Sequence, residues 1–269
     1  MKIALIQTKQ NALYSFHKPE EPISVECAKA LQKEMTEQCF TLAREAIGQG
    51  CDLLVTTEAI NFCGLESALR TSCEALIPFY SEEKKDVLFL RLSELARQAG
   101  SWLVAGVYNK RHDERGNLHC YNSAFIYDRE GRLHGIYDKM HLTKEESVCL
   151  TPGNKILVAE TDMGRMGVAV CYDMQFQDVC RGCADAGAEF MAVPSWGWEH
   201  GYGMERIKET GLGIAVSMAV PYWMPIEGER MPSELIRGDG TVLASAGQEA
   251  AELLIGTVAE WKNGYGTIN

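Results

Sequence analysis

Gly167-Val168-Ala169-Val170-Cys171-Tyr172-Asp173 is an apolar, β-branched run that stops at a cysteine followed by polar residues. It reads as a buried strand, so the thiol of Cys171 falls at a strand's carboxyl end. In open α/β architectures ligands bind at that end, which makes Cys171 a candidate nucleophile. The competing reading is a small buried hydrophobe. Two further runs finish in the same manner. Cys51-Asp52-Leu53-Leu54-Val55-Thr56-Thr57-Glu58 ends in a carboxylate, and Ile136-Tyr137-Asp138-Lys139-Met140-His141-Leu142 offers a lysine where an alternating strand gives out. Singly, Glu58 is a helix-capping acid and Lys139 a solvated base. With Cys171 they make an acid, a base and a thiol, each at a strand end.

Outward from these runs the chain alternates strands and helices. Residues 2–7 read as a strand, 23–48 as a helix whose apolar Cys27, Ala30, Leu31 and Met35 recur at helical spacing, and 52–57 as a second strand. Helix 84–99 and strand 102–108 follow. Residues 119–127 and 132–138 form a hairpin across Asp128-Arg129-Glu130-Gly131. Strands 156–160 and 166–171 bracket Met163-Gly164, then come helix 176–187, strand 189–193 and a helix around 203–210. A hairpin across Gly238-Asp239-Gly240 and strand 252–258 close the chain.

At 269 residues and 46% hydrophobic content, with no Pro/Gly/Ser-rich linker or internal repeat, the chain is expected to form a single domain over residues 1–269. A net charge of -11 argues against nucleic-acid or anionic-membrane partners, both of which need a basic patch; Lys84-Lys85 and Lys110-Arg111 read as solvated faces. The apolar stretch from Ile3 to Ile6 is too short for a signal peptide, and no apolar run approaches the roughly 20 residues of a membrane span. A cytoplasmic location and reduced cysteines are expected, despite the ten cysteines present. Cys180-Arg181-Gly182-Cys183 is a C-x-x-C pair, but a structural zinc site needs two more ligands and none are suitably spaced. Redox activity would favour a helix amino terminus, and this pair falls inside a helical pattern. No metal and no cofactor are expected.

The motifs resemble the nitrilase superfamily, the carbon–nitrogen hydrolases that use a Glu-Lys-Cys triad. Met1-Lys2-Ile3-Ala4-Leu5-Ile6-Gln7 is similar to that family's opening strand, and Thr57-Glu58 with Cys63-Gly64-Leu65 to its first motif. Tyr137-Asp138-Lys139-Met140-His141-Leu142 matches the lysine motif, and Glu146 followed by Thr151-Pro152-Gly153 matches the second glutamate and its Pro-Gly turn. Cys171-Tyr172-Asp173, Phe176 and Arg181 match the nucleophile motif. The resemblance runs from Met1 to about Val258. It implies an α/β fold of two mostly mixed β-sheets packed face to face with helices outside, a four-layer αββα sandwich, and assembly into a homodimer or higher homo-oligomer.

The chemistry asks for these residue types. A free thiol titrates near about 8.5 and needs a base or a positive neighbour. Glu58 would take the proton of Cys171 and return it to departing ammonia. Lys139 would stabilise the oxyanion of the tetrahedral intermediate with the backbone N–H of Tyr172. Glu146, as the resemblance implies, would orient Lys139 or the amide nitrogen; its choice over Glu145 rests on spacing to the Pro-Gly turn. Gln175, Gln177 and Asp178 stand where the family usually carries Arg, Pro and Glu, and of a later family motif only Arg206 and Glu209 carry over. These departures bear on substrate preference rather than reaction class, and the missing arginine at Gln175 weakens any case for a carboxylate-bearing substrate.

Pro194-Ser195-Trp196-Gly197-Trp198-Glu199-His200 lies where the family places substrate contacts. Trp196 and Trp198 are candidate pocket walls or else pack under a loop, His200 reads as a surface or supporting residue, and Tyr108 and Phe62 are further candidate walls. The expected activity is hydrolysis of a small amide or carbamoyl compound, releasing ammonia through a cysteine thioester. The alternatives are nitrile hydrolysis by the same residues and a non-catalytic thiol sensor.

Overall fold

In the computed structural model, strand β1 (Lys2–Gln7) buries every residue from Ile3 to Gln7. The apolar run Ile3–Ile6 suits a strand covered on both faces. The structure describes residues 1–10, 22–62, 73–83, 85–220 and 232–261; Lys84 and the Cys63-Gly64-Leu65 segment lie outside them.

The first sheet takes β1, β2 (Leu53–Thr56), β3 (Ser81–Glu82), β4 (Trp102–His112), β5 (Leu118–Tyr127), β6 (Leu133–Asp138) and the last strand, β13 (Glu252–Thr257). Its order is β13-β1-β2-β4-β5-β6, with β3 beside β4. The second holds β7 (Leu157–Thr161), β8 (Gly164–Val168), β9 (Phe190–Ser195), β10 (Gly213–Met218), β11 (Glu234–Ile236) and β12 (Val242–Ser245), in the order β12-β11-β10-β9-β8-β7. In each sheet three neighbouring strands run parallel, β1-β2-β4 and β8-β9-β10, while their flanks pair antiparallel.

The two inner faces share one core. Ile3, Leu5, Val55 and Val104 pack with Met166, Val168, Ala192 and Ala215. The opposite side of the first sheet, including Ala4, Ile6, Leu54 and Leu103, lies under Cys39 and Phe40 of α1 (Val25–Glu45) and Leu92 and Leu95 of α3 (Val87–Ala99); the short α2 (Cys73–Leu76) precedes α3. Helices α4 (Gln177–Asp185) and α5 (His200–Thr210) cover the second sheet with Val179, Cys183 and Ile207. The result is the expected helix–sheet–sheet–helix layering.

Local chemistry trims the expected elements. Helix α1 begins after Ser24, whose hydroxyl accepts the Cys27 N–H, and α3 after Asp86, which accepts that of Leu88. Strand 166–171 is corrected: β8 stops at Val168, so Cys171 opens a separate 3-10 turn, Cys171–Gln175. Strand β10 was not anticipated; a short, fully buried run with a single polar residue, Ser217, has no alternation to mark it. The closing hairpin forms between β11 and β12. Among the described residues no helix is long and apolar enough to cross a membrane. Cys27, Cys39, Cys51, Cys120, Cys171, Cys180 and Cys183 are free, but Cys149 is disulfide-bonded, which corrects the expectation that all the cysteines stay reduced.

Candidate active site

Strand direction gathers the candidate residues. Strands β2 and β4 are parallel, and β6, antiparallel to β5, runs the same way as β4. Their carboxyl ends therefore share one edge, and Glu58 follows β2 while Lys139 follows β6. Cys171 arrives from the facing sheet, three residues past β8. Two residues here adopt left-handed backbone, Ala59 (φ 50°) beside the glutamate and Cys171 itself (φ 44°). Such conformations are sparsely populated and held by their surroundings. Gly106 on β4 makes room for the glutamate: a Cβ there would stand 2.6 Å from the Thr57 carbonyl and 2.7 Å from the Glu58 Cα.

Glu58 and Lys139 are 3% and 1% exposed, which decides that neither is a solvated cap. Lys139 Nζ donates to Glu58 Oε1 at 2.8 Å, and to Glu146 Oε1 and Oε2 at 2.9 and 2.8 Å. Glu146, rather than exposed Glu145, thus reaches the lysine. Its carboxylate also accepts the Thr143 N–H at 2.9 Å, the Tyr108 hydroxyl at 3.0 Å and Asn122 Nδ2 at 2.8 Å. The Pro-Gly turn has a mechanical part in this: the Gly153 N–H donates to the Lys139 carbonyl at 2.8 Å, and a Cβ on Gly153 would meet the Asp138 carbonyl at 2.0 Å.

The electrostatics follow. Burial by itself would depress the Lys139 ammonium, yet Glu58 and Glu146 outweigh it and hold the pKa well above the usual lysine range. Burial pulls the Glu146 carboxyl upward, and Lys139 with the surrounding donors more than reverses it. The Cys171 thiol is pushed up to about 12, first by burial and then by the negative charge of Glu58, against the opposing pull of Lys139 and the Trp196 backbone N–H. The thiol is therefore neutral at rest and needs a base when it attacks. Asp173, fully buried, ties this turn to the lysine segment. It accepts the Val170 N–H (3.0 Å), the His141 N–H (2.8 Å) and the Tyr137 hydroxyl (2.8 Å), and burial raises its carboxyl above the usual range.

The aromatic candidates separate. Tyr108 stacks on Phe62 (4.8 Å between centroids), Tyr80 lies against both, and Trp196 borders this cluster partly exposed. Of its two readings Trp198 takes the packing one: at 1% exposure it belongs to the core over Gly203, and its Nε1 donates to buried Glu234 at 2.8 Å. His200 Nδ1 lies 2.9 Å from the same Glu234 oxygen. Tyr172 is half-buried, its ring edge-on to Phe176. Arg206 and Glu209 pair at 2.9 Å, and Glu209 also accepts from Gln177 at 2.9 Å. Cys180 and Cys183 are buried in α4. Among the described residues no three His, Cys, Asp or Glu side chains are arranged to hold a metal ion. Sequence reasoning missed Asn122 and Asn61. Asn61 accepts the Tyr108 N–H at 2.9 Å and donates to the Tyr108 carbonyl at 2.8 Å. The available signal for Asn122 was a polar residue in phase with inward-facing Ala124 and Ile126 on strand 119–127.

Comparison with known proteins agrees. Deaminated glutathione amidase of Mus musculus is 31% identical over 175 residues, 61% of this chain and 52% of its own. The chain spans about half the length of the several deaminated glutathione amidases it matches. Omega-amidase NIT2 of Homo sapiens is 24% identical over 249 residues, 85% of this chain and 84% of its own. Among solved structures, Saccharomyces cerevisiae Nit3, of the nitrilase superfamily, superposes with a TM-score of 0.73 at 22% identity, covering 97% of this chain and 90% of its own. An amidase mutant from Nesterenkonia sp. AN1, with acrylamide added at its active-site cysteine, gives 0.70 at 22% identity over 97% and 94%. These likenesses carry the fold. The family model for carbon-nitrogen hydrolase matches residues 2–261, and the chain belongs to the carbon-nitrogen hydrolase family.

Proposed function

We propose that the protein is an amidase that hydrolyses a small amide or carbamoyl compound and releases ammonia through a thioester on Cys171. The observation that carries this reading is one buried ammonium, Lys139, held 2.8 Å from both Glu58 and Glu146 beside a neutral thiol. Relatives named as amidases, and a cysteine adduct in the Nesterenkonia enzyme, support it.

In this mechanism the Cys171 sulfur attacks the substrate carbonyl carbon while Glu58 takes the thiol proton. That transfer neutralises Glu58 and weakens its hold on Lys139, which frees an ammonium N–H for the new oxyanion. The Tyr172 backbone N–H is the second donor. Glu146 accepts from three groups besides Lys139, so its place is to orient the lysine rather than to exchange protons. Collapse of the intermediate breaks the carbon–nitrogen bond, with the Glu58 proton passing to the leaving nitrogen. Water, deprotonated by Glu58, then cleaves the thioester to the acid and restores the thiol. A homodimer completes this reading, supported by the family resemblance; light scattering tests the assembly.

Ammonia release across primary amides, carbamoyl compounds and nitriles, with intact-protein mass spectrometry of the acyl adduct, is the test. Cys171→Ala should release nothing from any substrate while remaining folded, and Glu58→Gln should form no adduct. Ammonia release by Cys171→Ala, or an adduct forming as fast on Glu58→Gln as on the parent, overturns the proposal.

A further inference from the structure

Tyr108, Asn122 and Lys139 stand side by side across three strands. Tyr108 pairs with Asn122 in the β4–β5 ladder, and the Asn122 carbonyl accepts the Lys139 backbone N–H at 2.8 Å. Their side chains share the inner face of the first sheet, where a polar residue has to be satisfied without water. Asn122, 1% exposed, places its amide nitrogen between the two carboxylates: Nδ2 donates to Glu58 Oε1 at 2.7 Å and to Glu146 Oε1 at 2.8 Å.

We propose that Asn122 is a positioning residue for the reaction, whose amide determines which oxygen of Glu58 takes the thiol proton. This rests on the reading of Cys171 and Glu58 given above. Lys139 and Asn122 both donate to the same glutamate oxygen, Oε1. Two charge-assisted donors occupy its lone pairs and leave Oε2 as the basic oxygen. The same NH2 group bridges Glu58 to Glu146, so donors rather than repulsion set the spacing of two like charges. The amide's orientation follows from its neighbours, because the reverse would set Oδ1 against two carboxylate oxygens. Oδ1 itself has no hydrogen-bond partner among the described residues.

The groups facing Glu58 are Lys139 after β6, Glu146 from the following 3-10 turn, Asn122 from β5 and Cys171 from the second sheet, with Tyr108 on β4 reaching Glu146. Hydrogen bonds to an ionised carboxylate favour that form. Loss of Asn122 should therefore move Cys171 reactivity to higher pH, which a purely structural residue would not do.

The probe is iodoacetamide. Its rate of alkylation at Cys171 is measured by peptide mass spectrometry from pH 5.5 to 9 in the full chain, for the parent, Asn122→Leu and the isosteric Asn122→Asp. Asn122→Leu should shift the acid limb of the alkylation profile up by about one pH unit, which is about a tenfold slower rate at pH values on that limb. Asn122→Asp, which adds a third carboxylate, should shift it further. A folded Leu variant whose rate stays within twofold and whose limb does not move overturns the inference. So does an equal, pH-independent loss in both variants. If the Leu variant fails to fold, the Asp variant decides by the same criterion. The amidase reading fails separately, by ammonia release from Cys171→Ala whatever residue 122 does.

Discussion

Replacing Lys139 by Met removes an ammonium 2.8 Å from Glu58 Oε1 and 2.8 Å from Glu146 Oε2 while keeping most of the side chain's length. The two carboxylate side chains are 4% and 9% exposed, so water cannot take the cation's place. Breaking a buried pair by removing one partner costs about 3–5 kcal/mol. In the parent, burial would raise the Glu146 carboxyl, but Lys139 carries it below the ordinary range. A carboxyl lowered in the fold adds stability above its unfolded pKa, and that stability is lost as pH falls through the folded value. The variant lacks this contribution, and its two unpaired carboxylates relieve their repulsion by holding a proton. Its deficit must then grow with pH, by about 1.4 kcal/mol for each unit over which the folded variant holds one extra proton. Between pH 6 and pH 8 the gap to the parent should widen by about 2–3 kcal/mol. Urea unfolding of both proteins at pH 6, 7 and 8, extrapolated to water, measures it. A deficit below about 1 kcal/mol, equal at all three pH values, refutes the reasoning. Turnover should drop at least about a hundredfold, and Lys139→Arg should not restore it because a planar fork cannot occupy a compact ammonium's place.

With the thiol pushed up to about 12, only about one Cys171 in ten thousand is ionised at pH 8; the 240 nm absorbance difference between parent and Cys171→Ala should stay flat to that pH, and a thiolate step below it would contradict the buried-thiol picture. Gly153→Ala forces a Cβ into the Asp138 carbonyl, so it should cost about 1–3 kcal/mol and most activity, read by denaturation and ammonia release; a variant with parental stability and rate counts against the turn's part in placing Lys139. Trp198→Phe leaves buried Glu234 without its indole donor and should cost about 1–3 kcal/mol while Cys171 alkylation stays near the parental rate, whereas slowed alkylation would return Trp198 to the pocket. Cys180→Ala, altering a buried thiol in α4, should keep most ammonia release, and a loss as large as that of Cys171→Ala would show the nucleophile to be misassigned.

Legibility in the sequence followed the range of the interaction. Glu58, Lys139 and Cys171 each close an apolar run, and a run is a local pattern that marks a strand and its end. Glu146 was harder, since Glu145 has the same chemistry and only the backbone turn Glu146–Val148 decides which carboxylate meets the lysine. Trp198 was ambiguous because a loop tryptophan near a strand end can serve a core or a pocket; its indole partner, Glu234, lies 36 residues away.

Sequence alone determined which residue types close the apolar runs, the alternation of strands and helices, and a net charge of -11, while the four-layer arrangement came from the family resemblance. The first three depend on local periodicity and summed charge. Tertiary structure decided the rest: that Cys171 sits beyond its strand in left-handed backbone, that one lysine serves two glutamates, and that Asn122 bridges them. Those facts depend on strand direction and cross-strand register, which bring residues 58, 108, 122, 139 and 171 together across two sheets. Register is a property of paired strands, and no single stretch of chain contains it.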